Sequence, residues 1–214
     1  MQDNQELLRQ AASERVKVIP SVTRVQGEVV RKSLHLLVSL VPLFASVDLG
    51  ATLALLTAGI LFYAFAETSR LRGNPILIVS DITLIASRER DMGGFVLGPV
   101  TLGLGAMLSL ILYPLPAANI AIFALAFGDG FASLVGTTVR GPRIPLLRSK
   151  TLSGSLACFA AVFIVTLRIT QNPISALTLA GVATFLEAAP VGDFDNILIP
   201  FGVGMIAVKL LPLS

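Results

Sequence analysis

The chain has little charge for its size. Charged residues make up 14% of its 214 residues against 54% apolar, and the mean hydropathy is +0.83. That balance excludes an ordinary soluble domain, in which about a quarter of residues are charged. Its single cysteine, Cys158, sits in an apolar run, so no disulfide can form within the chain and an inert buried thiol is expected. The first thirty residues are polar and hold no apolar h-region, so no cleavable signal peptide is expected. No internal repeat stands out, which gives inverted-repeat transport no support. The GxxxxGK order of a Walker A loop is missing too, so any phosphate site must be built another way.

What the chain does have is apolar runs of about the length a bilayer core demands. Seven spans are expected, at 31–47, 49–66, 94–113, 117–139, 153–168, 173–188 and 196–212, with prolines such as Pro42, Pro114, Pro173 and Pro190 near their ends. The expected fold is therefore an all-α, polytopic integral membrane protein. A cytoplasmic or interfacial N-terminal segment, 1–28, would precede a transmembrane catalytic domain, 29–214. Residues 3–18 read either as a short amphipathic helix on the inner membrane surface or as a frayed tail. With the N-terminus cytoplasmic, all Lys and Arg fall inside except Arg168 and Lys209, as the positive-inside rule asks. All carboxylates except Asp48 fall on that side as well, although acidic residues contribute little to topology. The simplest cause is an active site at the cytoplasmic face. The net charge of +3 then reflects topology and affinity for anionic lipid or nucleotide, with no nucleic-acid partner expected.

The segment 127–156, FGDGFASLVGTTVRGPRIPLLRSKTLSGSL, carries the strongest signal. An ionisable group inside membrane-grade sequence costs roughly 2.5 to 3.5 kcal/mol on insertion scales, so Asp129 marks a functional site. Asp129, Ser133, Gly136 and Arg140 share a helix face, and Gly128, Ala132 and Gly136 form a small-residue ridge beside it. Another helix can therefore pack closely there, and the polar stripe should look inward.

Five polar clusters line the expected inner side. Arg31, Lys32 and His35 enter the first span, where a topology signal explains the two cations but not the chain's one histidine. Such a group would suit phosphate. Glu67 to Arg70 ends the second span and Arg88 to Gly94 leads into the third; each reads equally as a solvated loop or a site. Between them, 75–86 is apolar around Asp81 and suits a re-entrant or interfacial segment lining access for a lipid. The fourth cluster joins Asp129 to Arg140, Arg148, Lys150, Thr151, Ser153 and Gly154. There the fifth span's N-terminus, with Ser153 as a candidate cap, could cradle phosphate. In the fifth, Asp195 and Asn196 could cap the seventh span, while the carboxylates Glu187, Asp193 and Asp195 also suit Mg²⁺, which takes one or two carboxylates plus substrate phosphates.

In order, RKSLH (31–35), the Glu67 region, RERDMGG (88–94), GDGFASLVG (128–136), KTLSGS (150–155) and DNILIP (195–200) make the chain resemble the CTP-dependent lipid kinases. These include dolichol, phytol and farnesol kinases and the yeast-type diacylglycerol kinase, and they are related to the CDP-diacylglycerol synthases. The resemblance implies transfer of the γ-phosphate of CTP to a lipid hydroxyl with a divalent cation. It implies catalytic roles for Asp129, Lys32, His35 and Arg31. Nucleotide contacts are implied from Lys150, Thr151, Ser153, Gly154, Arg140, Arg148, Arg88 and Asn196, and metal contacts from Asp129, Glu187, Asp195 and Glu67. Serine stands at 153 where many relatives carry glutamate, and the chain is much shorter than eukaryotic dolichol kinases. The alternatives are a cytidylyltransferase acting on phosphatidate, a carrier of anionic metabolites and a non-catalytic scaffold. The acceptor is left open among dolichol, other polyprenols, phytol, farnesol and diacylglycerol. No oligomeric state follows from the residues, and a homodimer is compatible with them.

Overall fold

The protein is described by a computed structural model covering residues 21–87, 91, 93–139, 141–144 and 147–211, with the side chains of 21–25 and 143–149 excepted. The expected helix at 3–18 lies outside the described residues. Helix α1 (Ser21–Leu37) begins upstream of the boundary expected after residue 28 and runs through a 3₁₀ turn into α2 (Val41–Val47). There follow α3 (Leu49–Leu71), α4 (Leu77–Ala86), α5 (Gly98–Leu112) and α6 (Leu115–Phe123). The last continues through a π-turn (Ala124–Asp129) into α7 (Gly130–Thr138). After α7 a small antiparallel hairpin of β1 (Arg143–Ile144) and β2 (Leu147–Thr151) interrupts a fold that is otherwise all-helical, as expected. Helices α8 (Leu152–Thr170), α9 (Pro173–Ala188) and α10 (Asp195–Leu210) complete the fold.

Local chemistry sets the turns. Asp48 caps α3 by accepting from the Ala51 amide at 2.9 Å, and Asn172 caps α9 by accepting from the amides of Ile174 and Ser175. Pro173 sits in the first turn of α9, where its missing N–H costs nothing. These turns, with the one at Pro114, lie at one end of an antiparallel bundle. The connections 72–76 and 189–194 and the described ends of the one between α7 and α8 lie at the other.

Helix α6 is the bundle's axis. Ala117, Ala118, Ile120, Ala121 and Ile122 are all buried, and two cores flank it. The larger core packs α6 and α7 with α8, α9 and α10 through Cys158, Val162, Leu179, Ala183, Ile199 and Val203; Cys158 is buried, as expected. The other packs α6 with α2 and α5 through Val41, Ala45, Ala106 and Leu110. Alanine is frequent in both because helices held by van der Waals contact must approach closely. The closest approach joins α5 to α10. Pro200 has no N–H to offer the Asn196 carbonyl one turn earlier, and Gly105 of α5 lies directly against that carbonyl oxygen. The expected ridge also packs as anticipated. A Cβ on Gly128 would touch Val162 and Cys158 of α8, and one on Gly154 would come within 2.6 Å of the Ala132 carbonyl oxygen.

The outer surface is apolar. On α3, Leu55, Leu61, Phe62 and Phe65 are all more than half exposed, a surface a soluble monomer would bury. Gln26–Val47, Leu49–Leu71, Leu115–Thr138 and Leu152–Thr170 are long and apolar enough to cross a membrane, which fits a membrane protein. The remaining expected spans are also helices, but α5 and α9 are shorter apolar ones and α10 has 16 residues. The seven-span topology is thus a proposal, and it is open to test. Reporter fusions or cysteine probes at Gly141 and Ser214 should report from opposite sides of the membrane, Gly141 from the cytoplasm. Both reporting from one side would overturn it.

Candidate active site

The polar centre lies where α1 crosses the α6–α7 helix. Glu28, Lys32 and His35 recur at i, i+4 and i+7, so they form one stripe down α1. That stripe faces Asp129 and Ser133, themselves one turn apart. Lys32 Nζ donates to Asp129 Oδ2, His35 Nδ1 lies 3.0 Å from the same oxygen, and Ser133 donates to Glu28. Lys32 is 2% exposed and Asp129 4% exposed. Such burial is tolerable only because the charges meet, since removing one partner of a buried pair costs about 3–5 kcal/mol. Asp129 closes the π-turn, a device that inserts a residue into the helix and re-aims the side chains beyond it; π-turns recur at functional sites.

The Asp129 group forms the floor of a cavity of about 220 Å³. Arg31, Asp91, Asp193, Asp195 and Asn196 add polar lining, while Leu34, Val79, Ile82 and Leu102 make the rest apolar. Arg31 pairs with Glu28 and also donates to the Ala86 carbonyl at 3.3 Å, tying α1 to the end of α4. Asn196 donates to Thr101 Oγ1 at 3.0 Å and to the Gly98 carbonyl at 3.3 Å. The capping role expected for Asp195 and Asn196 is therefore corrected. The helix begins at Asp195, so Phe194 occupies the N-cap of α10 without a side-chain cap, and Asn196 lies in the first turn with its amide donating to α5.

A second group braces the cavity wall. Arg70 Nε and Nη2 each donate to a different Glu67 oxygen at 2.7 Å, and the Val96 amide donates to Glu67 Oε1 at 2.9 Å. Tyr63, one turn earlier, donates to the Val96 carbonyl at 3.1 Å. Glu67 and Tyr63 thus grip both backbone groups of a cavity-lining residue, so the Glu67 carboxylate, a metal candidate from sequence, acts as a strut.

The third group is separate from the cavity lining. Lys150 donates to Glu187 Oε1, joining the nucleotide step to the residue expected to bind metal. Thr151, not Ser153, caps α8: its hydroxyl accepts from the Gly154 amide at 3.1 Å, while Ser153 donates to the Val139 carbonyl at 3.3 Å. The cap falls at Thr151 because strand β2 ends there in extended backbone. Glu187 is buried, so Lys150→Met should lower the melting temperature measurably, and Lys150→Met/Glu187→Leu should recover most of the loss. Equal melting of the single variant and the wild type would show that the pair contributes nothing.

Of the sequence candidates, Arg31, Lys32, His35, Asp129, Asp195 and Asn196 line one cavity. Glu67 braces it, and Lys150, Thr151, Ser153, Gly154 and Glu187 form a neighbouring group at the start of α8. Arg88 and Arg140 lie outside the described residues, as does the side chain of Arg148. Glu28 and Tyr63 were not among the candidates, and Asp91 entered only as part of the 88–94 cluster. The Glu28–Lys32–His35 spacing was the signal available for the first; Tyr63 and Asp91 join through tertiary contacts alone. Among the described residues no three His, Cys, Asp or Glu side chains converge to hold a metal by themselves.

No family model matches the chain, and no solved structure matches it. It is similar to a protein of Zea mays described as a probable phytol kinase, chloroplastic, at 25% identity over 166 residues. The match covers 68% of this chain and 55% of that protein, so the chain spans about half the length of the curated relative it matches.

Proposed function

We propose that the protein is a membrane lipid kinase, transferring the γ-phosphate of a nucleoside triphosphate to the hydroxyl of a membrane lipid alcohol. The observation that carries the reading is the cavity itself. A buried Asp129 with Lys32 and His35 forms its floor, carboxylates and Arg31 add polar lining, and apolar side chains form the rest. That is the environment needed to bring a polyphosphate and a greasy alcohol together. The likeness to a phytol kinase supports the same class, and the motif resemblance favours CTP as the donor.

In this reading the alcohol oxygen attacks the γ-phosphorus. A phosphorus–oxygen bond forms to the acceptor, the bond to the β–γ bridging oxygen breaks, and the nucleoside diphosphate leaves with that electron pair. With Asp129 Oδ2 3.0 Å from His35 Nδ1, the carboxylate would orient the ring from that side and leave Nε2 to accept the hydroxyl proton. Lys32 and Arg31 offer N–H donors and positive charge to the phosphate oxygens. A divalent cation such as Mg²⁺ would be held by one or two of the cavity-lining carboxylates Asp91, Asp193 and Asp195, with substrate phosphates and water completing its shell. When bound, it neutralises phosphate charge.

The spent nucleotide tests the reaction type. Phosphorus NMR of a mixture of protein, CTP, Mg²⁺ and alcohol should show CDP accumulating with the phosphorylated lipid. Pyrophosphate with a cytidylylated lipid would replace the kinase by a cytidylyltransferase.

A further inference from the structure

Helix α4 (Leu77–Ala86) has only ten residues, a rise of about 15 Å, too short to cross a bilayer. Both faces are largely apolar, with Asp81 exposed on the outside and Ser80 and Thr83 buried within, yet they meet different surroundings. Val79 and Ile82 line the cavity, whereas Leu77, Ile78, Leu84 and Ile85 are half to three-quarters exposed on the outside. Ile82 does both: it lines the cavity and is 41% exposed, so it stands at the seam between them. The C-terminal end of α4 is pinned. Gly27 of α1 lies so close under the Ile85 carbonyl that a Cβ would collide with it, and Arg31 donates to the Ala86 carbonyl. The N-terminal half carries the more exposed side chains, and it is entered from the left-handed turn at Gly73 (φ 88°).

Size turns this wall into a passage. A cavity of about 150 Å³ holds one benzene ring, so the roughly 220 Å³ here cannot enclose both transferring phosphates and a long alkyl or isoprenoid tail. A long acceptor must leave most of its chain outside, and Ile82 of α4 is the lining residue that also belongs to the exposed apolar surface. Resting on the lipid-kinase reading, we propose that the acceptor is a long-chain alcohol whose tail passes between Val79 and Ile82 to the bilayer. α4 is then the portal that sets chain-length preference.

Two measurements test this. A long-chain alcohol carrying a diazirine a few carbons from its hydroxyl, where the chain would cross α4, should label peptides within 77–86 when irradiated with the wild-type protein; labelling only elsewhere, or none, overturns the portal. Ile82→Trp should lower kcat/KM for a diterpenoid alcohol about tenfold or more beyond any change for a monoterpenoid alcohol, as expected when a pocket loses room for several methylenes. Leu84→Trp, on the outer face, should leave the ratio of the two unchanged. An equal effect of Ile82→Trp on both alcohols overturns the proposal. Labelling needs no turnover, so an alcohol that labels α4 but is never phosphorylated would remove the kinase reading and keep the portal. Phosphorylation without label in 77–86 would do the reverse.

Discussion

Asp129→Asn is expected to abolish phosphoryl transfer, by about a thousandfold or more, the scale on which loss of an orienting aspartate acts in other enzymes. One carboxylate oxygen accepts from Lys32 Nζ and lies 3.0 Å from His35 Nδ1. An amide there carries no charge, holds the imidazole by a different geometry and leaves Lys32 buried without its counter-ion. The loss of the pair should also lower stability by roughly 3–5 kcal/mol. A second substitution separates the two effects. Lys32→Met/Asp129→Asn removes both charges, so the melting temperature in detergent should rise back toward the wild type while transfer stays lost. An Asp129→Asn protein with near-normal turnover would show that the carboxylate has no part in the chemistry.

Gly105→Ala is expected to be the most damaging single methyl addition in the bundle. In an open helix such a change usually stabilises, by up to about 1 kcal/mol. At Gly105 the added Cβ would run into the Asn196 carbonyl, which is backbone and cannot swing aside. Either α10 moves away, taking Asp195 and Asn196 from the cavity, or the helix deforms. Overpacking of this kind costs about 1–3 kcal/mol and sometimes more, and this contact belongs at the upper end. Circular dichroism melts in detergent would report it, with Gly181→Ala as the control because nothing lies within 4 Å of its added Cβ. A Gly105→Ala protein melting with the control would mean that α5 and α10 are not held this closely.

The sequence carried much of the architecture, since apolar run length and proline–glycine punctuation are local signals. The expected spans fall mostly on helical segments, and the small-residue ridge at Gly128, Ala132 and Gly136 meets α8 as its spacing implied. Asp129 stood out because charge in an apolar run is costly wherever it occurs. Partners were harder to read. The sequence grouped Asp129 with Lys150, its neighbour along the chain. The fold gives Asp129 to Lys32 and His35, and Lys150 to Glu187, because helices distant in sequence cross there. Glu67 was ambiguous for the same reason: only the arrival of Val96 against α3 shows the carboxylate to be a strut. The cap at Thr151 differs from expectation because strand β2 ends there, and that at Phe194 because α10 begins at Asp195.

The central claim is transfer of a terminal phosphate to a membrane alcohol at the Asp129 cavity. Its most direct test is purified protein in mixed micelles with Mg²⁺, CTP labelled at the γ-phosphate and a panel of lipid alcohols. Phytol, farnesol, a polyprenol and diacylglycerol are presented one at a time. The account predicts label in the organic phase as a lipid monophosphate with at least one alcohol, absent without acceptor and lost with Asp129→Asn. No γ-label in any lipid, from protein that is folded and monodisperse, would contradict it.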